Sequence, residues 1–129
     1  MFSGTAIVVD ERLYVMYTGV RYENNGERLR QVQCIAYTDD GVNFTKYNNN
    51  PVIAENELPK DYTVYDFRDP KIFKRGEYYY CLIGARKVGG KGRILAFKSR
   101  NITDWEFCRD LFGADPEFGD MTECPDTLF

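Results

Sequence analysis

The sequence of 129 residues contains no histidine. This absence removes the side chain that most often acts as a general base near neutral pH, and the commonest protein ligand of zinc. Any catalysis by this chain must therefore rest on carboxylates, lysine, tyrosine or cysteine. The cysteines are few, widely separated and never paired as Cys-x-x-Cys, which favours buried reduced thiols over disulfides. They are Cys34, Cys81, Cys108 and Cys124.

Long hydrophobic runs are also missing. No stretch approaches the about 18 apolar residues of a membrane helix, and no charged start leads into the apolar segment of a signal peptide. We therefore expect a soluble chain with a cytoplasmic location and no membrane partner. The 17 basic and 20 acidic residues give a net charge of −3, and the basic ones form no cluster. Nucleic acid is excluded as an expected partner, because phosphate neutralisation needs such a cluster.

The residues that are present favour a packed β-structure. Hydrophobic residues make up 43% and aromatic residues 16% of the chain, ample for the core of one ordinary domain. Short runs rich in β-branched and aromatic residues alternate with turn-forming residues, and no segment keeps a helical period over three turns. The fold class predicted is all-β. The predicted strands include residues 6–9, 13–17, 32–37, 71–73, 78–83 and 93–97.

A comparison of the sequence with itself reveals a repeat. A shift of about 65 residues places Leu13 on Tyr78 and Gly19 on Gly84, and shifts of about 60 to 61 place Ile35 on Leu95 and Phe44 on Trp105. Each unit then consists of four antiparallel strands, with blade-like units at residues 1–47 and 67–111. Four-stranded units repeated in this way are typical of β-propellers. A single small sandwich with two hairpins that match by chance is the alternative.

A third unit is expected to begin at residue 122. At a shift of about 55 residues, the segment 67–70 aligns with 122–125, so that only the first strand of a further blade would be present. The longer spacing between the first two units is assigned to the connection at residues 48–66. Because the first strand of each blade lines the central channel, Asp69 and Glu123 are predicted to converge from adjacent blades.

Converging carboxylates suit the cleavage of glycosidic bonds, in which one carboxylic acid protonates the leaving oxygen and another carboxylate stabilises positive charge. Glu123 is the candidate acid, because the neighbouring like charge and apolar sequence neighbours would raise its pKa. Asp69, next to Arg68, is expected to stay ionised. The alternative for each carboxylate is a solvated turn or capping residue at the start of a strand.

The same residues resemble three signature motifs of glycoside hydrolase family 32. The motifs occur in the family's order and spacing, as Phe-Ser-Gly-Thr-Ala at 2–6, Phe-Arg-Asp-Pro at 67–70 and Glu-Cys-Pro-Asp at 123–126. Further similarity lies in Tyr-Thr-Gly at 17–19 and Asp-Trp-Glu-Phe at 104–107. The resemblance extends over essentially the whole chain.

This resemblance implies a fragment of a five-bladed β-propeller that hydrolyses β-fructofuranosides, such as sucrose or sucrose 6-phosphate, with retention. Asp69 would stabilise the transition state and hold fructosyl hydroxyls, and Glu123 would be the acid/base. Arg68 would bind substrate and hold the carboxyl group of Glu123, while Phe2 and Ser3 would line the fructose pocket. The implied mechanism uses a small sugar substrate and needs neither a metal nor a cofactor.

The chain also departs from the family pattern. The family nucleophile lies in an Asn-Asp-Pro motif upstream of the Ser-Gly motif, and these 129 residues contain no such motif. We therefore expect the isolated chain to be inactive. Because two blades and one strand of the implied propeller would leave faces exposed that neighbouring blades normally cover, we also expect the chain to self-associate through those faces or to rearrange. Two alternatives remain open. One is a non-catalytic carbohydrate-binding or interaction module, and the other is a different propeller glycosidase that processes arabinans or mannosides.

Overall fold

The computed structural model describes residues 1–111 and 123–126. Eight strands account for most of the described chain, and the remainder is formed by turns and by two single 3₁₀ turns, Asn24–Gly26 and Glu55–Glu57. The strands are β1 (Gly4–Val9), β2 (Arg12–Glu23), β3 (Arg28–Thr38), β4 (Thr45–Lys46), β5 (Tyr62–Arg75), β6 (Tyr78–Lys87), β7 (Gly92–Ser99) and β8 (Glu106–Asp110). The predicted all-β class is confirmed.

The strands form two four-stranded antiparallel sheets, β1-β2-β3-β4 and β5-β6-β7-β8. Each sheet is a meander of hairpins, because each connection is short enough to return the chain to a neighbouring strand. Two-residue turns join β1 to β2 at Asp10 and Glu11, and β5 to β6 at Gly76 and Glu77. The two turns are thus 66 positions apart, one more than in the gap-free alignment of the two units.

Strand β5 is longer than the sequence pattern indicates. It begins at Tyr62, within the stretch that was expected to be a connection, and runs for 14 residues. Polar residues interrupt the apolar alternation in its first half, so the apolar pattern predicts strand only at residues 71–73, and the repeat places the start of the unit at residue 67. Strand β5 packs against strands β1, β2 and β3 of the other sheet.

The hydrophobic core lies between the two sheets. The first sheet contributes Met16 and Ile35, while the second contributes a larger set that includes Phe67, Ile83 and Phe97, none of them measurably exposed. The rings of Phe67 and Phe97 lie 6.0 Å apart and are tilted by 55°, a favourable aromatic arrangement. Burial of these side chains fixes the relative position of the two sheets.

The two sheets also share a turn, the corner turn, which precedes the last strand and is held by side-chain-to-backbone hydrogen bonds. In the first sheet, the carboxylate of Asp40 accepts hydrogen bonds from the backbone N–H groups of Val42 and Asn43. In the second sheet, the side-chain oxygen of Asn101 accepts equivalent bonds from Thr103 and Asp104. The matching turns, 61 positions apart, support the repeat independently of the strands.

The cysteines are reduced, and their burial differs from the expectation. Cys81 is fully buried and Cys34 is partly buried, but Cys108 and Cys124 are exposed, because β8 is the end strand of its sheet and Cys124 borders a cavity. Across residues 1–111 and 123–126, the structure shows no helix of the length and apolarity that a membrane crossing requires. The cytoplasmic location stays a prediction.

Candidate active site

Asp69 occupies an irregularity in strand β5. The pairing of β5 with β6 shifts register between Arg68 and Lys71, so that Asp69 and Pro70 lie outside the regular ladder. The backbone of Asp69 is left-handed, with φ of 64°, a conformation that non-glycine residues seldom adopt. Such bulges re-aim side chains and are enriched beside active sites. Here the bulge holds a carboxylate that is only 7% exposed.

Residues 123–126 lie against this part of β5. The guanidinium of Arg68 contacts Glu123, with Nε at 2.8 Å and Nη2 at 2.7 Å from Oε1. The backbone N–H of Cys124 donates to Asp69 Oδ2 at 3.1 Å. The predicted convergence of the two motifs is therefore present, with residues that align at a shift of 55 contacting one another. Thr122, the expected first residue of the third unit, lies outside the described residues.

The charges around Arg68 form a chain across the site. Asp66 bridges two cations, with Oδ1 at 3.2 Å from Arg68 Nη1 and Oδ2 at 2.7 Å from Arg86 Nη2. Arg68 in turn holds Glu123, whose side chain remains 55% exposed. The apolar surroundings expected for Glu123 are therefore not found among the described residues, and two of its expected apolar neighbours, Leu128 and Phe129, lie outside them.

Asp69 is bound by groups other than Arg68. Its Oδ2 lies 3.4 Å from the Cys124 thiol, which is placed to donate a hydrogen bond, and its backbone N–H donates to Thr18 Oγ1 at 3.0 Å. The hydrogen bond to the Asp69 carboxylate raises the pKa of the Cys124 thiol, because loss of its proton would place two negative charges in contact. The Cys124 side chain is therefore a neutral donor to Asp69 at neutral pH.

Phe2 and Ser3 lie at the same site. The Phe2 N–H donates to Thr18 O at 3.0 Å, and the Thr18 N–H donates to Ser3 O at 3.4 Å, which extends the β1–β2 ladder to the Ser-Gly motif. An open cavity of about 1090 Å³ is lined by Phe2, Ser3, Arg68, Asp69 and Glu123. All the residues that the sequence predicts for the site thus border one cavity.

The sequence interpretation missed the polar residues behind this cavity. Thr18, Gln31 and Gln33 are almost completely buried, and their side chains join strands β2 and β3 to the backbone of β5. The sequence pattern could have revealed the two glutamines, because Gln31 and Gln33 alternate in phase with the buried Ile35 and so lie on the buried face of β3. Asp66 and Arg86 were missed as well, because their pairing depends on the register between β5 and β6.

The site holds carboxylates without the geometry of a metal centre. Within the part of the chain that the structure describes, no three His, Cys, Asp or Glu side chains come together as metal ligands. The arrangement instead offers a buried carboxylate, an exposed carboxylate held by arginine, and an aromatic ring on the wall of a cavity. Such a set can hold sugar hydroxyl groups and transfer a proton.

Comparison with known proteins places these features in a family. The model of the glycosyl hydrolases family 32 N-terminal domain matches residues 1–129. The chain is 40% identical to the sucrose-6-phosphate hydrolase of Bacillus subtilis over 129 residues, and 34% identical to that of Escherichia coli over 128 residues. These alignments cover 97% of this chain in both cases, but only 26% and 25% of the two relatives.

Solved structures show the same relationship. The β-fructofuranosidase BmSUC1 of Bombyx mori superposes with a TM-score of 0.88 at 38% identity, over 99% of this chain and 26% of that protein. The sucrose-6-phosphate hydrolase of Lactobacillus gasseri superposes with a TM-score of 0.84 at 29% identity, over 99% of this chain and 25% of that protein. The chain spans about a quarter of the length of the relatives that it matches. By its sequence and its fold, it belongs to glycosyl hydrolase family 32, whose N-terminal domain model it matches throughout.

Proposed function

We propose that the protein to which these residues belong is a retaining β-fructofuranosidase that acts on sucrose or sucrose 6-phosphate. The observation that carries the proposal is the contact between residues 68–69 and 123–124, which brings Asp69 and Glu123 to one cavity. The printed names of the relatives support this substrate class, and a variant of the Bombyx mori enzyme has been solved in complex with sucrose. The substrate of this chain is thus a small fructoside.

Each residue of the site has a proposed role. Glu123 is the acid/base, because its exposed carboxylate can reach the leaving oxygen and is held by Arg68 on one oxygen only. Asp69 binds fructosyl hydroxyls and stabilises positive charge, since its buried carboxylate acts where water screens it little. Phe2 and Ser3 form the wall that receives the fructosyl ring.

The architecture we propose for the whole catalytic domain is a five-bladed propeller. The two sheets would be two of its blades, in units at residues 1–47 and 67–111, with a third blade beginning at 122. The contact between Arg68 and Glu123 supports this arrangement, because corresponding residues of adjacent inner strands meet around a common axis.

The nucleophile would come from outside these 129 residues, since they contain no Asn-Asp-Pro motif. For the chain by itself, this favours a second function, in which it binds a sugar without cleaving it. A covalent mechanism loses nearly all its rate without the nucleophile. The isolated chain would then act as a carbohydrate-binding module.

The test compares sucrose hydrolysis by the chain alone with hydrolysis after addition of a polypeptide that carries the Asn-Asp-Pro blade. We expect activity only in the mixture, with β-fructofuranose as the first product observed by NMR. In the mixture, Asp69→Asn and Glu123→Gln should each lower kcat by a factor on the order of 10² to 10⁴. Asp39→Asn is the matched control, because it makes the same chemical change at an exposed carboxylate paired with Arg12.

Two results would contradict the proposal. Hydrolysis by the chain alone would show that the nucleophile lies within it, and an unchanged rate in Glu123→Gln would remove the acid/base assignment. Sucrose binding by the chain without hydrolysis in the mixture would favour the binding module instead.

A further inference from the structure

Strand β5 is the end strand of its sheet, and one of its edges has no strand beside it among the described residues. Exposed strand edges carry unpaired backbone N–H and C=O groups, which must find other partners when they are buried. In this molecule, side chains of the first sheet provide those partners over residues 65–69.

The contacts run along alternate residues of β5. Gln31 donates from Nε2 to Tyr65 O at 2.9 Å and accepts from the Phe67 N–H at 2.9 Å. Gln33 donates from Nε2 to Phe67 O at 2.9 Å. Thr18 accepts from the Asp69 N–H at 3.0 Å. Three side chains thus replace a strand along this edge.

The three side chains also support one another. Thr18 lies directly opposite Gln33 in the β2–β3 ladder, and its hydroxyl donates to Gln33 Oε1 at 2.8 Å. The orientation of the Gln33 amide is therefore set at both ends, by Thr18 and by Phe67 O. Gln31 Oε1 additionally lies 3.3 Å from Arg68 Nη1. The network reaches both residues of the Arg-Asp pair.

We propose that Thr18, Gln31 and Gln33 are positioning residues that hold Asp69 in its left-handed bulge and so aim its carboxylate at the sugar. A left-handed backbone at a non-glycine residue persists only where surrounding contacts determine it. The Thr18 hydroxyl supplies such a contact at Asp69 itself, and the glutamines fix the two residues before it. This inference rests on the proposed role of Asp69 in sugar binding.

Thr18→Val tests the inference, because valine keeps the shape of threonine and removes the hydroxyl. The 129-residue chain is examined by hydrogen exchange at the Asp69 amide and by sucrose titration. Loss of one buried hydrogen bond should accelerate exchange at Asp69 and weaken sucrose binding, each by about tenfold. Thr18→Ser restores the hydroxyl and should behave like the wild type in both measurements.

Thr38→Val is the matched control for a general loss of stability. Thr38 is 3% exposed in strand β3, and its hydroxyl contacts Asp40 at the corner turn, among residues that do not line the cavity. This variant should leave both the Asp69 amide and sucrose binding unchanged. Unchanged exchange at Asp69 in Thr18→Val overturns the inference, as does sucrose binding weakened no more than in Thr38→Val.

Asp69→Asn separates this inference from the proposed function. If Asp69→Asn loses sucrose binding and Thr18→Val retains it, the positioning role alone is wrong. If Asp69→Asn binds sucrose as the wild type does, Asp69 is not a sugar ligand, and both the proposed role and its positioning fall.

Discussion

The first strands of the two sheets contrast a regular copy of the repeat with a modified one. Strand β1 pairs with β2 without a break in register, from Gly4 to Val9. Strand β5 pairs with β6 through two register shifts and carries the left-handed Asp69. Strand β5 also supplies three of the charged residues that line the cavity, whereas β1 supplies none. The difference indicates that the repeat supplies a scaffold, and that an irregularity in one copy converts a structural strand into part of a site.

The largest difference in stability between the two sheets should appear when the phenylalanine that begins each motif is replaced by alanine. Phe67 has no exposed surface and packs on Phe97, whereas Phe2 is 39% exposed on the cavity wall. Phe67→Ala should reduce the free energy of unfolding by about 3 to 5 kcal/mol, because it leaves a cavity in the core. Phe2→Ala should cost less than about 1 kcal/mol. Urea unfolding of the chain measures both, and equal costs would contradict this contrast.

A smaller loss of stability is expected two positions further along the motif of the first sheet, at Gly4. A Cβ atom on Gly4 would lie 2.1 Å from Met16 O, so the regular strand requires glycine there. Asp69, its counterpart at a shift of 65, carries a side chain because the bulge changes the direction of the backbone. Gly4→Ala should therefore destabilise the chain by about 1 to 3 kcal/mol.

Gly41→Ala is the comparison for this variant, because its Cβ would meet no atom within 4 Å and only its positive φ opposes the change. We expect Gly41→Ala to cost about 1 kcal/mol, less than Gly4→Ala. The reverse order in urea unfolding would show that β1 moves freely away from β2.

The two corner turns differ in charge and should therefore differ in their response to pH. Backbone hydrogen bonds from Asn43 and Val42 hold the pKa of Asp40 far below its usual value of 3.8. Because the folded-state pKa is depressed, this contribution to stability is present above pH 3.8 and is lost as the pH falls below it. The corresponding turn in the second sheet uses the neutral amide of Asn101.

Exchange of the two side chains tests this difference. Asp40→Asn should weaken the pH dependence of the unfolding free energy between about pH 5 and about pH 2, and Asn101→Asp should strengthen it. Urea unfolding across this range gives both slopes. Identical slopes for the wild type and Asp40→Asn would show that the Asp40 carboxylate is not preferentially stabilised in the folded state.

The sequence alone predicts the apolar strands and the start of the second unit at residue 67, but it misses the residues of β5 that precede Phe67. Residues 78–83 form an unbroken run of apolar and aromatic side chains that are buried or half-buried on both faces of the sheet. Such a run identifies a strand from composition alone. The start of β5 at Tyr62 is not evident, because Asp66 resembles a loop residue until its partners are known. Burial of Gln31 and Gln33 is hidden for the same reason. Their partners are backbone groups of a strand more than 30 residues away.

The motifs predict which residues border the site more fully than they predict its electrostatics. The resemblance led to Arg68, Asp69 and Glu123, and all three line one cavity. The carboxylate of Glu123 is more exposed than its apolar sequence neighbours suggest, because the segment bends at Cys124, whose φ is 47°, and the side chain of Glu123 faces the open cavity. The left-handed φ of Asp69 depends on cross-strand register, which no local pattern contains.

The smallest effect is expected for self-association, when residues on the faces of the sheets that point away from the core are changed. The second sheet has an open groove of about 800 Å³ lined by Phe73, Tyr80 and Leu111 among others, whereas Val8 of the first sheet borders none of the cavities described above. Apolar grooves of this kind favour association. Leu111→Lys should weaken self-association of the chain by about tenfold, and Val8→Lys should leave it unchanged. The lysine at position 111 should weaken association because it adds a charge beside Arg75, Lys98 and Arg109 of the same groove. Sedimentation over a range of concentrations measures both variants. Equal effects of the two variants would locate the association surface elsewhere, and a strictly monomeric wild type would contradict self-association itself.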